Sequence, residues 1–447
     1  MKNAARFISI LIVLALSISI NVCPEELVLR AGIAKTDITP TESLYMGGYD
    51  SNMRDKPSDG TYGKIYIRAL VFDNSETKIA FVVSDLVFYR DYDGIRKSIS
   101  GATGIPYDNI LISTTHNHAA PVIGGKNSES EWSKSFTSKI VQTVKDAARD
   151  CEPVMIGGGT GHSSIAMNRR KKMEDTVSVL SFDENNSSQS AGRYKSSNPV
   201  MIHEMAGVYR LGSNPGGPID DEVCVIRIDT MRGNPKAVFI NYAAHGTSLG
   251  GRNRTVSPEW SGHMVEYIEK TLPGVQGIFA QGAAGDINPR FVGGIEGAPE
   301  DLERTARLGY EIGDEVVRVF NGITAREPLS ARIQVVQKDI ECPLKYNHVM
   351  NDFKKTTIGV PTTAVRLDEF TMVTFPGELF HDIGKQIKHS THGRYSFLVG
   401  YCNESLGYMP TQEAYSQGGY EPNSSRYAPV TEKIYVQGVI DLLSELE

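Results

Sequence analysis

Cysteine is scarce and scattered: Cys23, Cys151, Cys224, Cys342 and Cys402 are the five in 447 residues, with no CxxC pair and no metal-type spacing. No cysteine-based metal motif can be built from them. A basic excess is also missing, since 46 Lys and Arg face 53 Asp and Glu for a net charge of −7, which gives no reason to expect nucleic acid as a partner. Beyond the N-terminus there is no hydrophobic run that could span a membrane. Internal repeats and clean domain boundaries are lacking too. At 40% apolar and 22% charged residues, the composition is that of an ordinary folded chain rather than a disordered one. The length can bury a sizeable core, in one large α/β domain or two smaller ones.

What is present begins with Met1-Lys2 and Arg6 before the mostly apolar stretch Phe7 to Ile20, which ends near Asn21-Val22-Cys23. These are the charged and apolar regions of a secretory signal, so residues 1–23 are expected to direct export to the periplasm, the surface or the medium. Val22 stands where a lipoprotein signal has a small residue, which favours cleavage over lipid attachment at Cys23. With Cys23 removed or modified, four cysteines remain, and an exported compartment permits up to two disulfides without implying them.

The remainder, 24–447, alternates strand-like and helix-like segments. Ile65–Phe72 and Ile79–Asp85 flank the turn Asp73-Asn74-Ser75-Glu76, which predicts a hairpin. Apolar residues at helical spacing predict a helix over 131–150, and further helices are expected near 259–271, 299–320 and 379–388. Residues 183–220 are polar and rich in Ser, Asn, Gly and Pro, which suggests a long excursion. The fold expected is α/β, with mixed β-sheets and flanking helices in a single large domain.

Polar, chemically capable residues recur immediately after apolar strands, where α/β proteins place their sites. Leu111-Ile112 is followed by His116 and His118, Phe239 to Tyr242 by His245, and Met372 to Phe375 by Glu378. In a strand, positions i and i+2 face the same side, so both imidazoles of Ser113-Thr114-Thr115-His116-Asn117-His118 can converge. Metal ligands, an acid/base pair and polar strand-end residues all fit that pattern. Catalytic zinc takes about three protein ligands and keeps a position open, a count that His116, His245 and Glu378 would satisfy. Imidazole and carboxylate suit zinc better than magnesium or calcium. A competing signal is Gly246-Thr247-Ser248-Leu249-Gly250, a G-x-S-x-G pattern that would make Ser248 a nucleophile, although no helix-forming sequence follows it. Asp85 could stand behind the site. Tyr408, Tyr415, Tyr420 and Tyr427 cluster in polar, Gly-rich sequence, as hydroxyls used for binding would.

Several motifs in order resemble the catalytic domain of the neutral, non-lysosomal ceramidases. They are Gly32 to Thr39 with Met46-Gly47-Gly48-Tyr49, then Ser113 to His118, Asn241 to Ser248, Ala280 to Pro289, Thr374 to Leu379, and Gly407 through Tyr415. The resemblance implies a zinc-dependent hydrolase of the amide of an N-acyl lipid such as ceramide, with a small lipid-like substrate and peripheral membrane contact. It implies His116, His245 and Glu378 as zinc ligands, joined by Tyr415, and His118 as the acid/base group. Tyr427 would stabilise the oxyanion, while Asp37 and Arg169 would line the same site. Full-length members carry an additional C-terminal immunoglobulin-like domain, whereas this chain ends at Glu447, and Ala119-Ala120-Pro121 stands where Ser-Gly-Pro is common. Alternatives are a zinc hydrolase of another small amide or ester, and a serine esterase built on Ser248.

Overall fold

The computed structural model describes residues 27–49, 53–173, 209–294, 298–345 and 355–446. The expected export signal with Cys23, and most of the polar excursion, lie outside them. Among the described residues no helix is long and apolar enough to cross a membrane.

Two sheets stack on one another. The larger has eight strands in the spatial order Gln276–Gln281, Pro235–Tyr242, Glu222–Thr230, Glu152–His162, Arg30–Asp37, Tyr66–Asp73, Lys78–Ser84 and Ile110–Thr114. The smaller has four: Ile333–Pro343, Thr357–Leu367, Phe370–Thr374 and Tyr395–Val399. Leu111, Phe81, Phe239 and Ile278 of the first pack against Phe370, Met372 and Phe397 of the second in one apolar layer. These strands read as near-continuous apolar runs because both of their faces are covered.

Helices cover the outer faces. Tyr92–Thr103 and Glu131–Arg149 close one half of the large sheet, and Glu259–Thr271 with Pro299–Gly322 close the other. The helices His381–His389 and Thr431–Ser444 cover the small sheet. The result is a four-layer α/β body with mixed sheets, as the alternation of patterns predicts. The predicted hairpin is present, with Ile67 opposite Ser84 and Asp73 opposite Lys78. Asn74 closes it by accepting from the backbone N–H groups of Glu76 and Thr77.

Among the described residues of these two sheets most pairings are antiparallel, but three are parallel: Lys78–Ser84 with Ile110–Thr114, Pro235–Tyr242 with Gln276–Gln281, and Phe370–Thr374 with Tyr395–Val399. The chain leaving the C-terminal ends of Ile110–Thr114, Pro235–Tyr242 and Phe370–Thr374 carries His116, His245 and Glu378. Crossover connections put such ends together at one edge of the body, which is where a site can be assembled from distant parts of the sequence. Export would permit up to two disulfides without implying them, and Cys151, Cys224, Cys342 and Cys402 are all free.

Candidate functional site

His116 departs from strand geometry. Its φ is +56°, a left-handed conformation uncommon outside glycine, and Asn117 then bridges to Gly246. Convergence with His118 therefore comes from a sharp turn just past the strand, rather than from the alternation of side chains along it. The outcome is the same, because the Nε2 atoms of the two histidines lie 3.0 Å apart.

His245 and Glu378 complete a buried cluster. Glu378 Oε2 is 3.0 Å from His245 Nε2 and 3.5 Å from His116 Nε2. Each of these two histidines has its other nitrogen facing carbonyls: His116 Nδ1 lies 3.0 Å from Val87 O, and His245 Nδ1 is 2.6 Å from Ala284 O and 3.0 Å from Ile287 O. A carbonyl can only accept, so both Nδ1 atoms carry hydrogen and both Nε2 atoms present lone pairs. Lone pairs on two imidazoles and a carboxylate thus face one another at hydrogen-bonding range, an arrangement that calls for a proton or a cation between them. The nitrogen and carboxylate donor set suits zinc. His116, His118 and His245 alone bring their ligand atoms within 4.8 Å of one another, so the cluster could hold a metal ion.

Electrostatics favour that state. Burial pushes the His245 imidazole down to about 4, with the Arg169 charge adding to the effect. His118 is likewise driven well below the ordinary histidine range by burial and then by His116 and His245. Burial opposes ionisation of Glu378, yet His116 and His245 outweigh it and hold the carboxyl well below the usual range. An ionised Glu378 beside an unprotonated His245 is what a divalent cation requires of these two ligands.

Arg169 reaches the cluster as well. Its Nη1 is 3.0 Å from His245 Nε2, while Nε bonds to the buried Glu421 at 2.8 Å. The site opens into a cavity of about 830 Å³ whose lining includes His116, His118, Arg169, His245 and Glu378. Met53, Leu211, Val292 and Tyr420 also line it, and each is between 42 and 52% exposed, so its mouth carries an apolar collar.

Three of the residues expected here are elsewhere. Asp37 pairs with Lys64 at 2.9 Å and accepts from the Thr39 N–H; it does not line the cavity. The Tyr415 hydroxyl donates to Tyr427 O at 2.7 Å, and Tyr427 is itself buried in the core under the small sheet. The reason is the Gly418-Gly419 turn, with φ of +67° and +103°, which separates the helix Gln412–Gln417 from Tyr420–Ser424 and swings a different tyrosine inward. The C-terminal tyrosines at the cavity are Tyr401, Tyr408 and Tyr420, which line it together with Tyr49 and Tyr92. Tyr408 pairs with Glu378 across the short parallel strands Glu378–Leu379 and Tyr408–Met409, and Tyr401, which the sequence reading missed, stacks on His116 with centroids 4.1 Å apart. Its position directly after the strand Tyr395–Val399 is the same signal that marked His116 and Glu378.

Ser248 is not a nucleophile elbow. It is wholly buried, its N–H donates to Glu259, and it is absent from the cavity lining. Nor does Asp85 stand behind the histidines; its carboxylate is committed to Arg68 at 3.0 Å and to the Tyr66 N–H.

A family model described as neutral/alkaline non-lysosomal ceramidase, N-terminal, matches residues 29–309. Neutral ceramidase A of Dictyostelium discoideum is 25% identical over 378 residues, covering 74% of this chain and 48% of that protein. Neutral ceramidase of Drosophila melanogaster is 26% identical over 279 residues, or 59% of this chain and 36% of that one. The chain thus spans about half or less of the length of these relatives. A solved neutral ceramidase from Pseudomonas aeruginosa superposes with a TM-score of 0.71 at 17% identity, covering 94% of this chain and 75% of that one. A ceramidase complexed with C2 gives 0.72 at the same identity and coverage. At that identity the two structures speak for the fold alone.

Proposed function

On the premise that this chain belongs to the neutral/alkaline non-lysosomal ceramidase family, we propose that it is a zinc-dependent amidohydrolase of N-acyl lipids, ceramide foremost. The observation that carries this reading is the convergence of the lone pairs of His116, His245 and Glu378 at the floor of a cavity with an apolar mouth. Water adds to the amide carbonyl, the C–N bond breaks, and the products are a fatty acid and an amine.

His116, His245 and Glu378 would hold the ion. Bound zinc supplies Lewis acidity and brings water to nucleophilic strength near neutral pH. The rest falls to the chain itself. His118 has a buried Nδ1 with no partner and an Nε2 at the cluster, so it can take a proton from the attacking water and hand it to the departing amine. Arg169, fixed by Glu421, offers N–H donors to the carbonyl oxygen as charge develops on it. The collar of Met53, Leu211, Val292 and Tyr420 suits an alkyl chain entering from a lipid surface.

The test is hydrolysis of fluorescent N-acyl amides, with and without a chelator. Loss of activity on chelation and its return with zinc support the proposal. Amide hydrolysis that survives complete removal of metal would refute it, and activity confined to short-chain esters would refute the N-acyl lipid assignment.

A further inference from the structure

The loop 248–251, three residues beyond His245, is gripped from both of its polar sides. Glu259, wholly buried, accepts from the N–H groups of Ser248 at 2.9 Å and Leu249 at 3.1 Å. It does so from a left-handed conformation, φ +56°, at the first residue of its helix. Arg54, also buried, donates Nη2 to Gly250 O at 3.0 Å and Nε to Gly251 O at 3.1 Å. Carboxylate meets donors on two consecutive residues, and guanidinium meets acceptors on the next two. Peptide dipoles are therefore aligned between two opposite buried charges, each of which would be costly without the other.

Arg54 extends the grip to His118. Its Nη1 donates to Gly47 O at 2.8 Å and to the carbonyl of His118 itself. Tyr49 lies between the two side chains, its ring 4.6 Å from the guanidinium and 4.8 Å from the His118 ring at 68°. Beneath that ring sits Gly48, where a Cβ would fall 2.3 Å from His118 Nδ1.

We propose that Arg54 and Glu259 are positioning residues, a charge pair acting through the loop 248–251 that fixes the cavity wall and holds the His118 ring against the cluster. This rests on the hydrolase reading for its catalytic consequence, but the mechanical part stands by itself. Neither residue touches the three atoms assigned to zinc, so metal binding is expected to be independent of both.

The experiment uses full-length protein with R54M, R54K, E259Q and the double variant R54M/E259Q. Hydrogen exchange read by mass spectrometry over residues 246–252 should accelerate about tenfold or more in R54M and in E259Q. Zinc per chain should stay at the wild-type value, while R54M lowers kcat about 30-fold and shifts KM less than about threefold, as expected for a displaced catalytic group. R54K, which keeps the charge but cannot reach four carbonyls, should fall between R54M and wild type. The double variant should lose no more than R54M alone, because the loop is already released. Unchanged exchange in both single variants overturns the proposal, as does wild-type kcat in R54M or losses that multiply in the double. Should R54M not fold, E259Q and R54K decide the matter by the same readouts. A wild-type protein without chelator-sensitive amidase activity would instead refute the hydrolase reading, leaving the exchange result to judge the loop.

Discussion

His116 and His118 place their Nε2 atoms 3.0 Å apart, but only His116 has its Nδ1 against a carbonyl. The difference divides their labour. A histidine whose Nδ1 is committed presents a fixed lone pair, as a ligand must, whereas His118, whose Nδ1 has no partner, can gain and lose a proton. H116A is therefore expected to lose zinc below about a tenth of an equivalent per chain and activity by more than about 100-fold. H118Q should keep a full equivalent and lose about 10²- to 10⁴-fold in kcat. Elemental analysis beside kinetics checks the pair, and equal zinc loss in both variants would remove the distinction.

Gly48 offers a steric test of the same group. Its φ is +93°, and a methyl there would lie 2.3 Å from His118 Nδ1. G48A is expected to cost roughly 1–3 kcal/mol of stability from strained backbone and to lower kcat by about tenfold or more. Thermal melts with steady-state kinetics measure both, and a G48A enzyme of wild-type activity would show that the His118 ring position is unimportant.

Tyrosine assignments can be checked by deleting single hydroxyls. Tyr415 bonds to Ser425 and to the Tyr427 carbonyl, outside the cavity, so Y415F should leave zinc content unchanged and kcat within about threefold. Tyr408 lines the cavity and pairs with Glu378 across two short strands, so Y408F should lower kcat by about tenfold or more. The reverse ranking would restore Tyr415 to the site.

Stability should fall in alkaline solution through His381. Burial works against its charge, but Asp286 at 2.7 Å prevails and raises the imidazole to about 10. A folded-state value above the unfolded one of about 6.5 means that the folded protein holds this proton more tightly. The stabilisation is complete below about pH 6.5 and drains away as pH rises toward about 10. Melting temperature should decline across that interval. H381Q should be less stable by roughly 2 kcal/mol at pH 6, and flatter in its pH dependence above that. An equal slope in both proteins would assign the decline to other groups.

Much of this was legible in the residues because strands that are apolar throughout announce both themselves and the polar residues that follow them. His116, His245 and Glu378 stand out in that way, and the helices Glu131–Arg149 and Glu259–Thr271 by their 3.6-residue spacing. The tyrosines were legible as a cluster but not one by one: Tyr408 and Tyr420 reach the cavity while Tyr415 and Tyr427 do not, since the Gly418-Gly419 turn decides which of them faces inward and no periodicity spans it. Arg54 and Glu259 gave no signal at all. Their partners are backbone carbonyls and amides, which every residue has, so nothing in side-chain identity marks where they bind. Ser248 misled for the opposite reason: its G-x-S-x-G pattern belongs to the loop that those two residues hold.

Anomalous diffraction at the zinc absorption edge, on crystals of the protein grown with zinc, tests the central claim most directly. A single strong peak is expected about 2.0–2.2 Å from His116 Nε2, His245 Nε2 and a Glu378 oxygen. A cluster without such a peak at full zinc saturation, or zinc bound only elsewhere on the chain, would contradict the account.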